Sequence, residues 1–270
     1  MKNIYSDKLH IKTLKYICGV HKKASNYAVM GELGRYPLYI ETLSNTVKYL
    51  QHIHKSNDTL LESALQENMI LNDNKKNCWL SSVYFLLNQL GISCDNIFSS
   101  DLQSKVFNEL RKRFINIWQS NLSECAKNEK GKLRTYGLFK RSFSREKYLS
   151  VIVKPHILKC FTNFRISSHK LEIEIGRYKN VPVADRKCKL CNSGSVEDEI
   201  HFMFECPTYE QYRQGFVNHM MDENSNFSLL SNRDRLIWLM SNEDSNVITC
   251  LADYIYKCHE KRCNVIAGFT

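Results

Sequence analysis

The sequence predicts a mainly α protein, and three observations carry that expectation. Only 10 Gly and 4 Pro punctuate the 270 residues, too few for a many-turned sandwich or barrel. Leu, Lys, Asn and Ser dominate a chain that is 43% hydrophobic and 11% aromatic, which is the composition of a folded protein. Over long stretches the apolar residues recur at the spacing of a half-buried helix.

Taken in order, residues 7–20 (DKLHIKTLKYICGV) place Leu9, Leu14 and Ile17 at helical intervals before a stop at Gly19. Pro37 opens a second periodic stretch with Leu38, Leu43, Val47, Leu50 and His54 near one face, since proline suits a first helical turn. Asn57 and Asp58 are set to cap TLLESALQENMIL. The apolar run CWLSSVYFLLNQL ends at Gly91, a residue fitted to the left-handed cap. The longest helix is expected over residues 102–127, with Val106, Leu110, Phe114 and Ile117 on one side and Lys105, Arg111, Lys112 and Arg113 on the other. Leu171-Glu172-Ile173-Glu174-Ile175 alternates like a strand, and the helix and strand alternatives both stand.

The formal net charge is +10 and the pI about 9.0, which favours a negatively charged partner. The first residues contain no continuous apolar segment of a secretory signal, and no run approaches the ~18 apolar residues that cross a bilayer. A chain with no membrane partner, located in the nucleus and/or cytoplasm, is the expectation. Most of the eleven cysteines stand singly in apolar stretches, where reduced thiols behave as small buried hydrophobes.

Residues 127–147 hold eight Lys or Arg against two Glu. Tyr136, Phe139 and Phe143 interleave with Arg134, Lys140, Arg141 and Arg145, a mixture that suits phosphate contacts and base stacking. A solvated basic loop whose aromatics pack on the core is the plainer alternative.

The sharpest chemical signal is Cys188-x2-Cys191-x9-His201-x4-Cys206. Two cysteines separated by two residues can grip one tetrahedral ion from a single turn, and a second pair on a following helix completes the set. Three thiolates and one imidazole with no open position point to structural Zn2+. Asn192 to Ser195 is turn chemistry, and Glu197, Asp198 and Glu199 suit the first turn of a helix carrying His201. Residues 195–206 contain four acidic groups and no Lys or Arg, so phosphates are expected on neighbouring basic segments. The predicted organisation is a helical bundle-like part over 1–150, a zinc knuckle region over 151–215 and a helical tail over 216–270.

The run FRISSHKLEIEIGRYKNVPVADRKCKLCNSGSVEDEIHFMFECPTYEQYR (164–213) resembles the zinc-binding region that follows the polymerase domain in non-LTR, LINE-like retrotransposon reverse transcriptases. The resemblance rests on Phe164-Arg165-Ile166, on the stretch from His169 to Gly176-Arg177, and on the Cys/His box followed by Pro207 and Tyr209. A weaker likeness covers residues 17–40, similar to the helical linker before that region. The resemblance implies a helix ending at Gly176 and a C-terminal piece of a protein that binds element RNA and target DNA, working with an intact polymerase. The expected nucleic-acid contacts are Arg111, Lys112, Arg113, Lys132, Arg134, Lys140, Arg141, Arg145, Arg165 and Arg177.

The sequence departs from a polymerase in one decisive respect. Nucleotide transfer of that kind needs paired aspartates for two metal ions, and no Asp-Asp pair occurs in the chain. No phosphate loop exists, because Ala126 and Leu133 flank Gly131-Lys132 wrongly. His259-Glu260-Lys261-Arg262-Cys263 lacks the second histidine of a zincin and is expected to be helix surface, as are His52 and His54. The chain is therefore expected to be a non-enzyme without a small-molecule substrate that binds RNA and/or DNA. The alternatives are a zinc-stapled scaffold and an enzyme with an unrecognised site.

Overall fold

Helix boundaries follow local chemistry along the chain. The computed structural model describes residues 5–128 and 131–268. In chain order the helices are α1 (Tyr5–Ile17), α2 (Asn26–Leu33), α3 (Leu38–Lys55), α4 (Thr59–Asp73), α5 (Trp79–Leu90) and α6 (Leu102–Lys127). Short α7 (Tyr136–Phe139) and α8 (Tyr148–Val151) precede α9 (Pro155–Arg165), α10 (Glu172–Tyr178), α11 (Glu210–Glu223), α12 (Asn232–Ser241) and α13 (Ser245–Ile266). Among the described residues there is no strand, and β pairing is limited to the isolated bridges Leu33–Arg145 and Lys187–Val196. The mainly α expectation holds.

Caps fall where short polar residues stand. The Asp58 carboxylate accepts the N–H groups of Leu60 and Leu61 at 2.9 and 3.2 Å, Asp244 does the same for Asn246 and Val247, and Gly91 closes α5 at φ +70°. These bonds satisfy amides that a helix end leaves without partners. The sequence reading passed over α2, whose cap is Ser25 accepting from Ala28 N–H.

The chain divides into two compact units, one formed by Tyr36–Trp118 with the residues up to His10, the other by Ile11–Arg35 and Gln119–Thr270. The boundaries expected at 150 and 215 both fall within the second unit, where the segments around 30 and 134 share buried ion pairs with the region 151–215. In the first unit α4 packs on α3 and α5, burying Val47, Leu50, Leu65, Leu80, Val83 and Leu87. Asp7 accepts the N–H of Tyr39 at the start of α3, and the Gln51 amide donates to the Ser99 carbonyl.

The second unit is built on α13, against which α8, α9, α11 and α12 pack. Its Val247, Ile248, Leu251, Tyr254, Ile255 and Cys258 form the buried face. The periodicity erred at single positions. Leu9, Ile17 and Ile117 are 55, 60 and 54% exposed, while Leu14, Cys18 and Trp118 take the core positions. The alternating stretch 171–175 is helical, and its glutamates are buried because each has a cationic partner. Gly176 sits inside α10, which continues to Tyr178, and its missing side chain makes room for Arg186, whose Cγ would stand 2.5 Å from a Cβ there.

Candidate metal centre

A small hairpin starts the centre. Cys188 N–H donates to the Ser195 carbonyl and Glu197 N–H to the Arg186 carbonyl, both at 2.9 Å, and Gly194 turns the loop at φ +70°. Leu190 N–H points at Cys188 Sγ at 3.5 Å, a donor that favours thiolate. The chain then enters a helical turn at Glu199, capped by Asp198, whose carboxylate accepts His201 N–H at 2.8 Å.

From His201 to Glu205 this turn widens into a π-turn, closed by Cys206 N–H donating to the His201 carbonyl at 2.8 Å. In an α-helix each residue advances by about 100°, so two residues five apart would diverge by about 140°. The wider turn reduces that divergence and brings His201 and Cys206 to one side. Arg213 fixes the far end by donating to the Met203 and Cys206 carbonyls.

The structure brings together Cys188, Cys191, His201 and Cys206, with one ligand atom from each within 4.8 Å of all the others. Cys188 and Cys206 Sγ are 3.9 Å apart, and Cys191 Sγ lies 3.4 Å from His201 Nε2. A tetrahedral ion with bonds of ~2.3 Å to sulfur and ~2.0 Å to nitrogen has edges of about 3.8 and 3.5 Å, so the donor set fits such an ion. His201 Nδ1 is buried without a hydrogen-bond partner, and the Glu205 carboxylate stands 3.7 Å away. With Nε2 on a metal, Nδ1 carries the proton and Glu205 is its nearest acceptor, the arrangement that orients metal-bound histidines. Without an ion, the hydrogen bond from Cys188 lowers the Cys206 thiol to about 5 and raises Cys188 correspondingly. A metal ion replaces that shared proton.

The acidic residues around the box serve as internal counterions. Glu197 accepts both Nε and Nη2 of Arg262 at 2.7 and 2.8 Å and the Glu172 N–H at 2.8 Å. Glu199 meets Arg134 and His169 Nε2 at 3.0 Å. Burial pushes its carboxyl up, but Arg134, followed by His169, brings it down to about 2. Glu174 takes Arg134 at 2.8 Å and Arg177 at 2.9 Å.

These and neighbouring pairs engage four of the expected nucleic-acid contacts inside the protein. Arg134 lies between Glu174 and Glu199 with 12% of its side chain exposed. Arg165 is 3% exposed, donates to Glu32 at 2.8 Å and Glu146 at 2.9 Å, and lies over the Phe139 and Tyr148 rings at 4.8 and 5.0 Å. Lys140 is 4% exposed and held by Glu146 and the Ser144 carbonyl. Arg177 is committed to Glu174. Tyr136 and Phe139, expected to stack on bases, are core residues at 0 and 5% exposure. The enclosed cations of Arg134, Lys140 and Arg165 cannot reach a phosphate without breaking a buried pair, whereas Arg177 keeps 24% of its side chain exposed.

The other positions differ among themselves. Arg111 is half-buried, stacked on Tyr36 and Phe107 at 4.4 and 5.1 Å, and Arg113 pairs with Glu109 at 2.9 Å. Lys132 donates to the Lys23 carbonyl at 3.0 Å. Lys112, Arg141 and Arg145 are exposed, with no carboxylate partner among the described residues. Glu129 and Lys130 of the basic stretch lie outside the described residues. Among the described residues no helix is long and apolar enough to cross a membrane.

No protein-family model matches the chain, and no curated protein and no solved structure matches it.

Proposed function

We propose that this chain is a zinc-stapled helical module that binds RNA or DNA through phosphate contacts and has no catalysis of its own. Zinc is the occupant that three thiolates and one imidazole select in a closed tetrahedral site. A reducing intracellular compartment, nuclear or cytoplasmic, suits those thiolates. The resemblance of residues 164–213 supports a role beside the polymerase of a non-LTR retroelement, which would supply the catalytic aspartates missing here.

One observation carries the nucleic-acid reading. Five buried carboxylates (Glu32, Glu172, Glu174, Glu197, Glu199) balance five buried cations (Lys140, Arg165, Arg186, Arg213, Arg262) among the described residues. The surplus of ten positive charges is therefore not neutralised or hidden in the core, and belongs to groups that can meet phosphates. Lys112, Arg141 and Arg145 are the exposed members of the expected set.

The test is fluorescence anisotropy with single-stranded RNA and duplex DNA on zinc-loaded protein between about 50 and 200 mM salt, where phosphate-driven affinity falls by orders of magnitude. Steep salt dependence is the expected outcome. Absence of binding at low salt would leave the second reading, a zinc-stapled scaffold for a protein partner, which the internal use of Arg134, Lys140, Arg165 and Arg177 favours.

A further inference from the structure

The second unit contains a cavity of about 490 Å³, within the ~300–1,000 Å³ range of small-ligand sites. It is formed by the turn after α1, by α9 and the loop that follows it, and by the middle of α13. Four histidines, His21, His156, His169 and His259, line it together with Lys159 and Lys170. Phe164, Phe202 and Ile255 give it an apolar floor. No carboxylate is among its lining residues.

The polar groups are held in place. His169 is fixed at both nitrogens, Nε2 toward Glu199 at 3.0 Å and Nδ1 accepting Leu171 N–H at 3.4 Å, with its ring 5.4 Å from Phe164. The His156 ring meets Tyr256 edge-on at 4.9 Å. The Lys159 stem lies against Gly19, where a Cβ would come within 3.0 Å of its Cγ and φ is +61°. Neither Lys159 nor Lys170 has a carboxylate partner among the described residues. Burial, then Arg262, Lys170 and His169, hold His259 below the usual imidazole range against the opposing Glu260 carboxylate.

A concave site with aromatic and aliphatic walls, planar rings at its rim and two unneutralised ammonium groups fits an anion that carries a flat, weakly polar ring. We infer that this cavity binds one nucleoside monophosphate unit, its base on the Phe164, Phe202 and Ile255 floor and its phosphate at Lys159 and Lys170. The unit is either a free nucleotide or one unpaired residue of a strand. In the second form the inference rests on the nucleic-acid reading above, and it supplies that reading with a stacking site.

The experiment is calorimetric titration of the full zinc-loaded chain with AMP, UMP and inorganic phosphate, repeated on the double variant Lys159→Ala/Lys170→Ala. Both lysines are exposed, so the variant should melt with the wild type. AMP is expected to bind in the submillimolar range and to weaken by about tenfold or more in the variant. No AMP binding at millimolar concentration, binding unchanged in the variant, or phosphate binding as tightly as AMP would each overturn the inference. A fluorescent oligonucleotide run in parallel separates the two claims. AMP binding without oligonucleotide binding sinks the nucleic-acid reading and leaves the pocket as a free-nucleotide site. Oligonucleotide binding without AMP binding does the reverse.

Discussion

Arg262, in the last turns of α13, donates through Nε and Nη2 to the two carboxylate oxygens of Glu197 at 2.7 and 2.8 Å, and Glu197 stands four residues before the metal-site histidine. The tail is thereby tied to the hairpin that presents the cysteines. Both groups are almost fully buried, at 3 and 1% exposure, and burial would depress the Arg262 cation if Glu197 did not raise it.

Removing one member of such a pair strands a charge. Arg262→Met should cost about 3–5 kcal/mol of unfolding free energy, read by urea denaturation. The double variant Arg262→Met/Glu197→Gln should recover part of that loss. A single variant as stable as the wild type would show that the pair is not formed.

Zinc should be bound one per chain and coupled to folding. Cys188→Ser or Cys206→Ser should abolish stoichiometric metal in elemental analysis and open residues 187–206 to limited proteolysis, because binding energy at such sites is local folding energy. Chelation of the wild type should give the same cleavage pattern. Glu205→Ala, which removes the acceptor beside His201 Nδ1, should weaken the metal by about 10-fold or more without abolishing it.

The arginines and lysines split into two classes with opposite phenotypes. Arg134→Ala and Arg165→Ala should destabilise the fold by about 3–5 kcal/mol each. Lys112→Ala, Arg141→Ala and Arg145→Ala should leave melting unchanged, and each lost phosphate contact should flatten the salt slope by roughly 0.7–0.9. Anisotropy and thermal melts on both sets decide the matter; an unchanged slope in the triple variant moves the footprint elsewhere.

Acid should attack through Glu199. Its folded carboxyl lies at about 2 against an ordinary 4.5, so the folded state holds its proton less tightly than the unfolded chain does. The resulting stability is fully present above about pH 4.5 and is lost as pH falls toward 2, in all roughly 3 kcal/mol. Glu199→Gln should be less stable at pH 7 and show a shallower acid limb. Comparing the two proteins free of metal isolates this effect from acid release of the ion. Parallel acid limbs would assign the sensitivity to other groups.

Much of the architecture is determined by local sequence. Asp58, Gly91 and Asp244 mark helix ends because a cap is a bond to the next turn of the same segment. The four metal-site residues were legible for the same reason: Cys188 and Cys191 share one turn, and His201 and Cys206 share the next helix. The end of α13 and the knuckle hairpin were not joined by any such spacing. That Glu197 faces Arg262, Glu199 faces Arg134, and Glu32 faces Arg165 depends on helices far apart in sequence meeting in one core. Charge type alone does not distinguish a buried counterion from a cation left at the surface: Arg134, Lys140 and Arg165 are enclosed beside carboxylates and Arg177 pairs with Glu174, whereas Arg141 and Arg145 are exposed. The alternation of Leu171 to Ile175 left helix and strand undecided for a related reason, since paired glutamates can be buried as fully as isoleucines. The histidine- and lysine-lined cavity draws on α1's turn, α9, the loop behind it and α13, and its existence was decided wholly by tertiary packing.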